Sequence, residues 1–181
     1  MAGTDLVVIG AGPGGYVAAI RAAQLGMKVV IAEKDACGGT CLNYGCIPTK
    51  ALYKNAQVMG YMDHSREFGI EIDGYRLDME QVQARKNKIV KTLTGGVEYL
   101  LKSNKVAIEK GCAKIIKAGL VEVTGKDGTV KRLETKRILI ASGSKSSRLP
   151  IEGMDLEGVI TSKEALDMKT VPEEIVIIGG G

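Results

Sequence analysis

The chain has 181 residues, of which 45% are apolar, and a formal charge of +4 from 25 basic and 21 acidic side chains. This composition excludes a disordered chain, and the length allows one full core with part of a second. One Phe, no Trp, no basic tract and no long apolar run argue against a nucleic acid or a membrane as partner.

The first thirty residues predict a β-strand, an α-helix and a second β-strand. An uninterrupted apolar run at 5–9 predicts a buried parallel strand, and a glycine-rich turn follows it at 10–15. An Ala-rich helical pattern covers about 14–25, Gly26 is suited to end it, and 28–33 predicts the next buried strand. The order and spacing are those of a βαβ unit of the Rossmann type.

The glycine turn matches the dinucleotide-binding pattern. Gly10 makes the tight turn, Gly12 lets the backbone approach a pyrophosphate, and Gly15 lets the helix pack closely. Glu33 ends the second strand, where an acid is expected to hold ribose hydroxyls. The residues predicted to line the nucleotide from this unit are Gly10, Gly12, Pro13, Gly14, Gly15 and Glu33. The pattern alone leaves NAD and FAD both open.

The middle of the chain predicts two long helices. The first runs from about 40 to 61 with a bend near Pro48, and a polar, irregular stretch follows it. The second begins after an N-cap at Asp78 and ends near Lys102, with a loose point or close-packing site at its paired glycines, Gly95 and Gly96.

The second half predicts more strands than helices. Strands are predicted at 105–109 and 137–141, with three short runs between them at 113–116, 120–124 and 129–134. Gly-containing turns separate the three runs, which favours an antiparallel meander on one face of the parallel sheet. A connector with a helix at 162–168 follows, and the apolar run 174–178 predicts a last buried strand.

Cys41 and Cys46 are the residues most suggestive of chemistry. Four residues separate them, among them Gly45, which removes a side chain that would crowd a bridge. A dithiol of this kind, without secretory features, predicts a redox pair in a cytoplasmic protein. The competing interpretations are a zinc site and two buried structural cysteines. Zinc is disfavoured because His64 is the only histidine, and Cys37 and Cys112 lack a partner motif.

The segment from Gly39 to Lys50, Gly-Thr-Cys-Leu-Asn-Tyr-Gly-Cys-Ile-Pro-Thr-Lys, resembles the active-site signature of the flavin-dependent pyridine nucleotide–disulfide oxidoreductases. Leu42 and Ile47 resemble the dihydrolipoamide-oxidising branch of that family more than the glutathione and mercuric reductases, which typically carry valines there. The stretches at 10–26, 93–97 and 160–166 also resemble the family, so the resemblance covers essentially the whole chain.

The resemblance implies a role for each matching residue. Cys41 corresponds to the interchange thiol that meets dihydrolipoamide, Cys46 to the charge-transfer thiol against the flavin, and Lys50 to a cation near the reactive edge of the flavin. The remaining residues implied to contact FAD are Glu33 and Lys34 at the adenosine ribose, Gly39, Thr40 and the 10–15 loop, Ala113 at the adenine, and Ser142 and Gly143 over the cofactor.

The resemblance also implies an activity and partners. Dihydrolipoamide on a lipoyl domain or lipoyl-carrying protein of a 2-oxo acid dehydrogenase or glycine cleavage complex is oxidised, electrons pass through the two cysteines to FAD, and NAD+ accepts a hydride. The family functions as a homodimer. A glutathione- or mercuric-type reductase and a non-catalytic flavin-binding module are the alternatives.

The family continues with an NAD domain and a dimerisation domain that carries the catalytic histidine. The chain is therefore expected to be an N-terminal portion that is inactive alone and holds FAD weakly. The expected division is a FAD-binding domain at 1–145, a connector at 146–172 and the first strand of an NAD-binding domain at 173–181.

Overall fold

A computed structural model describes residues 3–147 and 150–179. The strands are β1 Leu6–Ile9, β2 Val29–Glu33, β3 Ala107–Lys110, β4 Cys112–Lys117, β5 Leu120–Thr124, β6 Val130–Glu134 and β7 Ile138–Ile140. The helices are α1 Pro13–Gln24, α2 Gly39–Tyr44, α3 Cys46–Asp63, α4 Met79–Ser103 and α5 Ser162–Ala165, with a 3-10 helix at Ser65–Phe68.

Four strands form a parallel sheet in the order β3-β2-β1-β7. Val7 in the central strand β1 pairs with Val30 on one side and with Ile138 on the other. Because all four strands run the same way, their carboxyl ends meet at one edge of the sheet. The predicted βαβ unit is confirmed, and Gly26 has the positive φ, 87°, expected of the residue that ends α1.

The alternation of side chains along the strands gives the sheet two buried faces. On one face Val8 and Ile31 pack with side chains of α1 and α4, including Leu101. On the other face Val7 and Val30 pack with side chains of the antiparallel sheet β4-β5-β6. Burying one such side chain contributes about 1.5–3 kcal/mol, so both layers stabilise the same sheet. The predicted α/β fold with a meander on one face is confirmed.

Helix α4 follows the predicted pattern closely. The carboxylate of Asp78 accepts a hydrogen bond from the Gln81 amide (3.0 Å), which caps the first turn. The helix continues through Gly95 and Gly96, and a methyl group added at either would meet nothing within 4 Å among the described residues. The paired glycines are therefore not a close-packing site, and the expected loose point stays a prediction.

Two buried polar side chains of α4 hold the end of α5, and together with it they form what we call the α4–α5 clasp. The Lys86 ammonium donates to the Leu166 carbonyl (2.9 Å) and to the Asp167 carboxylate (2.5 Å), and its side chain is 3% exposed. The Gln83 amide donates to the Met168 carbonyl (2.9 Å) and the Leu166 carbonyl (3.2 Å). The clasp therefore fixes the connector against α4.

The prediction of a buried strand at 174–178 is wrong. These residues adopt no regular secondary structure, and Val176 is 89% exposed. An apolar run becomes a buried strand only where a neighbouring strand and a covering layer are available, and no strand among the described residues pairs with it. Helix α5 is also shorter than predicted, with residues 166–168 held by the clasp rather than by helical bonding alone.

No helix in the described ranges combines the length and the apolar content that a membrane span requires.

Candidate functional site: the glycine loop and the cysteine pair

The glycine loop between β1 and α1 contains two positions at which the protein itself requires glycine. Gly10 has φ +100°, and a Cβ there would lie 2.3 Å from the Ala141 carbonyl oxygen at the end of β7. A Cβ at Gly15 would lie 1.8 Å from the Gly10 carbonyl oxygen. Both contacts are far inside van der Waals distance, so these glycines permit the tight turn and the close packing of α1.

Gly12 is different, because no protein atom requires it to be glycine. Its φ is −71°, which any residue adopts, and a Cβ there would be 3.8 Å from its nearest neighbour, the Gly39 Cα. No side chain caps α1 at this residue. The missing side chain and the uncapped amides leave room and donors for an anionic group, which fits a dinucleotide pyrophosphate.

The start of α2 lies directly against this loop. Gly39 has φ +57°, and a Cβ there would come within 2.6 Å of the Gly12 Cα. Thr40 follows at the surface. The close backbone contact brings the segment with the two cysteines next to the nucleotide loop, as a flavin shared between them would need.

Glu33 is buried at the carboxyl end of β2. Its Oε2 accepts a hydrogen bond from the Ala11 amide (2.7 Å) and its Oε1 from the Asp35 amide (2.8 Å). Each carboxylate oxygen can accept a second bond, so ribose hydroxyls could still be held. Lys34 beside it is exposed.

The sheet edge brings further predicted residues to the loop. A Cβ on Gly10 would lie 3.1 Å from the Ser142 Cα, and Gly143 follows with φ +70° at the surface. The Gly111 amide donates to the Glu33 carbonyl (2.9 Å). Ala113 is two residues further along the chain and is half-buried on β4. Ser142 and Gly143 therefore flank the loop, while Ala113 lies near the end of β2.

The two cysteines lie on different helices, because the chain breaks at Gly45 and not at Pro48 as predicted. Cys41 is on α2, and Cys46 is the first residue of α3. Pro48 lies in the first turn of α3, where its missing amide has no helical acceptor to bond and the helix tolerates it. A Cβ on Gly45 would come within 3.0 Å of the Thr40 carbonyl oxygen and 3.5 Å of the Cys41 Cα, so glycine permits this tight break.

Cys41 and Cys46 lie close enough for Cys46 to affect the ionisation of Cys41. The side-chain hydrogen bond with Cys46, followed by burial, raises the pKa of Cys41, while the charge of Lys50 acts in the opposite direction. Both cysteines are thiols, with Cys41 half-buried and Cys46 exposed. The structure therefore places the two predicted redox cysteines next to each other, one on each side of the break at Gly45.

The residues between the two cysteines make contacts that could not be predicted from the spacing of residues in the sequence. The Asn43 amide donates to the carbonyls of Gly39 (2.9 Å) and Cys37 (3.1 Å). The Tyr44 hydroxyl donates to the Asp35 carboxylate (2.5 Å), and the Lys163 ammonium lies 4.2 Å from the centroid of the Tyr44 ring. The position of Tyr44 between the cysteines was visible in the sequence, but its partners come from distant segments.

The other cysteines and the histidine take no part in this arrangement. Cys37 is fully buried in the core, and burial raises the pKa of its thiol. Cys112 is exposed at the start of β4. His64 is exposed. Within residues 3–147 and 150–179, no group of three or more His, Cys, Asp or Glu side chains could hold a metal.

The family model described as pyridine nucleotide-disulphide oxidoreductase matches residues 4–181. The chain belongs to this family. Among its relatives, the mitochondrial dihydrolipoyl dehydrogenase of Dictyostelium discoideum is 48% identical over 98% of this chain and 37% of that protein. The human mitochondrial dihydrolipoyl dehydrogenase is 46% identical over 98% of this chain and 35% of that protein. The chain therefore spans about a third of the length of these relatives.

Two solved structures have the same fold. The flavoprotein disulfide reductase RclA from Escherichia coli, solved as a Cu(II) complex, superposes with a TM-score of 0.78 at 28% identity, over 93% of this chain and 35% of that one. LpdA from Mycobacterium tuberculosis gives a TM-score of 0.83 at 22% identity, over 93% of this chain and 38% of that one, which shows the fold alone.

Proposed function

We propose that this chain contributes the flavin-binding site and the reactive dithiol of a dihydrolipoyl dehydrogenase. The observation that carries the proposal is the placement of Cys41 on α2 and Cys46 on α3, next to a nucleotide loop whose Gly12 no protein contact requires. The identity of 46–48% to proteins of that name supports dihydrolipoamide as the substrate.

The thiol chemistry follows from the two sulfurs. One thiolate of dihydrolipoamide attacks the Cys41 sulfur of the oxidised pair, which forms a mixed disulfide and releases the Cys46 thiolate. The second substrate sulfur then attacks the mixed disulfide, which releases lipoamide and leaves the pair as a dithiol. The substrate has lost two electrons and the pair has gained them.

Glycine-loop and sheet-edge residues would hold the cofactor. The uncapped start of α1 at Gly12 would face the pyrophosphate, Glu33 the ribose, and Ser142 and Gly143 the side of the loop away from α2. When bound, FAD would supply the two-electron acceptor for the dithiol and the hydride donor for NAD+. Lys50, whose charge acts on Cys41, would favour the thiolate form of the pair.

A glycine series tests the flavin site. Gly12→Ala places a methyl group where the protein has space, so we expect unchanged thermal unfolding but at least tenfold weaker binding of FAD, measured by flavin fluorescence on titration. Gly96→Ala, on an exposed part of α4 with the same freedom from protein contacts, is the matched control and should bind FAD like the wild type. Equal FAD affinity in Gly12→Ala and wild type would contradict the proposed flavin site.

A half-reaction tests the substrate. The oxidised 181-residue chain should convert one dihydrolipoamide to lipoamide per chain, and Cys41→Ser or Cys46→Ser should abolish this, whereas Cys112→Ser should not. Faster reaction with glutathione or with Hg(II) than with dihydrolipoamide would favour the other reductase branches. If the chain bound FAD tightly but its cysteine pair did not exchange with any of these substrates, a non-catalytic flavin-binding module would be favoured.

The wider assignments belong to the same proposal. They are NAD+ as acceptor, a lipoyl-carrying protein of a 2-oxo acid dehydrogenase or glycine cleavage complex as partner, a homodimer, and a cytoplasmic location. The relatives above are named as mitochondrial proteins. Fractionation of cells with an antibody to this chain decides between the two compartments.

A further inference from the structure

Tyr44 lies at the end of α2, one residue before the break at Gly45. Its hydroxyl donates to the Asp35 carboxylate (2.5 Å). The Asp35 amide in turn donates to Glu33 (2.8 Å), which also accepts from the Ala11 amide of the glycine loop (2.7 Å). A continuous series of hydrogen bonds therefore runs from the nucleotide loop to the segment between the two cysteines.

The opposite side of Tyr44 is held by α5. The Lys163 ammonium lies 4.2 Å from the Tyr44 ring centroid, a cation–π contact. Helix α5 is itself fixed, at its start by a capping box between Thr161 and Glu164 and at its end by the α4–α5 clasp. Tyr44 is thus held between a carboxylate and an ammonium that come from two different segments.

The position of this contact gives it an effect on the thiols. Cys41 lies on α2 and Cys46 on α3, and Gly45 is the covalent link between the two helices. A residue that anchors the end of α2 limits how far the two sulfurs move apart. Because a disulfide forms more readily when its sulfurs are held in reach, a looser α2 lowers the equilibrium constant for closing the bridge.

We propose that Tyr44 is a positioning residue that, through Asp35 and Lys163, holds α2 against α3 and makes the Cys41–Cys46 disulfide harder to reduce. The inference rests on the proposed function only in taking these cysteines as the redox pair. It assigns a function to Tyr44, which lies between the cysteines but contacts Asp35 and Lys163, both outside the cysteine motif.

The test is the disulfide equilibrium of the 181-residue chain in glutathione buffers without flavin. Reduction consumes two glutathione molecules per disulfide and yields one oxidised glutathione and the Cys41–Cys46 dithiol. All variants carry Cys37→Ala and Cys112→Ser, so that only this pair can bridge. Trapped thiols are counted by mass spectrometry.

Tyr44→Phe removes only the hydroxyl and should lower the equilibrium constant for disulfide formation about fivefold, a change of about 20 mV at 29.6 mV per tenfold. Tyr53→Phe removes a hydroxyl from an exposed tyrosine of α3 and should match the reference. Asp35→Asn and Lys163→Met should shift the equilibrium in the same direction as Tyr44→Phe. In the Tyr44→Phe/Asp35→Asn double variant the effects should not add, because both act through one contact.

The same equilibrium constant in Tyr44→Phe and Tyr53→Phe overturns the proposal, and so does an additive double variant. If Tyr44→Phe altered the fold, its circular dichroism would show this, and Lys163→Met, which changes only the far side of the ring, would then decide. Loss of flavin binding or of dihydrolipoamide oxidation would contradict the proposed function but would leave this flavin-free measurement valid.

Discussion

The glycines of the loop fall into two groups. At some positions the protein's own packing requires glycine, and at others only a ligand would require it. A Cβ added at Gly10 or Gly15 would clash with the backbone, whereas one added at Gly12 or Gly14 would not. The sequence pattern groups all of them together, since it records only that side chains are missing. The structure distinguishes them by what an added methyl group would meet.

A pair of adjacent substitutions makes this distinction measurable. Gly15→Ala forces a methyl group against the Gly10 carbonyl and should lower the free energy of unfolding by about 3 kcal/mol or more. Gly14→Ala, in the same turn of α1 with nothing within 4 Å, should raise it by about 0.5–1 kcal/mol through helix propensity. Urea denaturation followed by circular dichroism measures both. Equal destabilisation by the two would show that the close approach at Gly15 is wrong.

The reactivity of Cys41 depends on its two neighbours in opposite ways. The hydrogen bond with Cys46 and burial raise the pKa of Cys41 above the ordinary value of 9.0, and Lys50 lowers it. Since the thiolate is the nucleophile, alkylation of Cys41 should be slow at neutral pH and should accelerate as the pH rises through this raised pKa.

Lys50→Met removes the charge that favours the thiolate, so the pKa of Cys41 rises further and alkylation by iodoacetamide at pH 8 should slow about two- to threefold. Lys54→Met, one turn further along α3, is the control and should leave the rate unchanged. Peptide mass spectrometry reports the rate at Cys41 itself. An unchanged alkylation rate at Cys41 in Lys50→Met would contradict the electrostatic role of Lys50.

At the scale of elements, sequence patterns correctly predicted the helices, strands and caps that depend on residues close together in the chain. The βαβ unit and the meander follow from apolar periodicity and glycine turns, and the Asp78 cap follows from a side chain that bonds an amide three residues away. The break between α2 and α3 was assigned to Pro48 because proline disrupts helix interiors. It lies at Gly45 because the effect of proline depends on its position in the helix, which tertiary packing sets.

The contacts of Tyr44 could not be predicted for a related reason. Asp35, Tyr44 and Lys163 come from a loop, a helix end and the connector, and only the folded chain brings them together. The run at 174–178 failed for the opposite reason: its composition indicates a preference for burial, but not whether a partner strand is at hand. Its proposed place in a following domain stays a prediction.

The α4–α5 clasp is an element-scale contact that a single substitution tests. Lys86→Met keeps the length of the side chain and its packing but removes its hydrogen bonds to Leu166 and Asp167, just after α5. We expect little change in the global free energy of unfolding, because the desolvation of a buried ammonium is removed as well. The connector should nonetheless detach more often, and trypsin should cleave after Lys163 and Lys169 several-fold faster.

Lys88→Met, at an exposed position of the same helix, is the control for charge and should leave the cleavage rate unchanged. Gel electrophoresis of timed digests measures both variants. Unchanged cleavage in Lys86→Met would mean that the clasp does not hold the connector.

At the scale of the whole molecule, one sheet organises every feature described above. The meander covers one face, α1 and α4 cover the other, and the carboxyl ends of the strands deliver Glu33 and Ser142 to the glycine loop. The cysteine pair lies outside this sheet, but its segment packs into the same core: Leu42 is buried there, and Cys41 and Ile47 pack against it. The scaffold and the reactive segment therefore share one hydrophobic core.

The α4–α5 clasp also limits how far the exposed segment after Met168 can reach. Because Met168 is fixed against Gln83, the exposed side chains near Ile177 lie nine residues from an anchor and reach at most about 30 Å from it. Within that radius an apolar surface of the same molecule meets this segment at an effective concentration on the order of millimolar, whatever the dilution of the sample. Association of the segment with its own molecule should therefore precede association between molecules at micromolar protein concentrations.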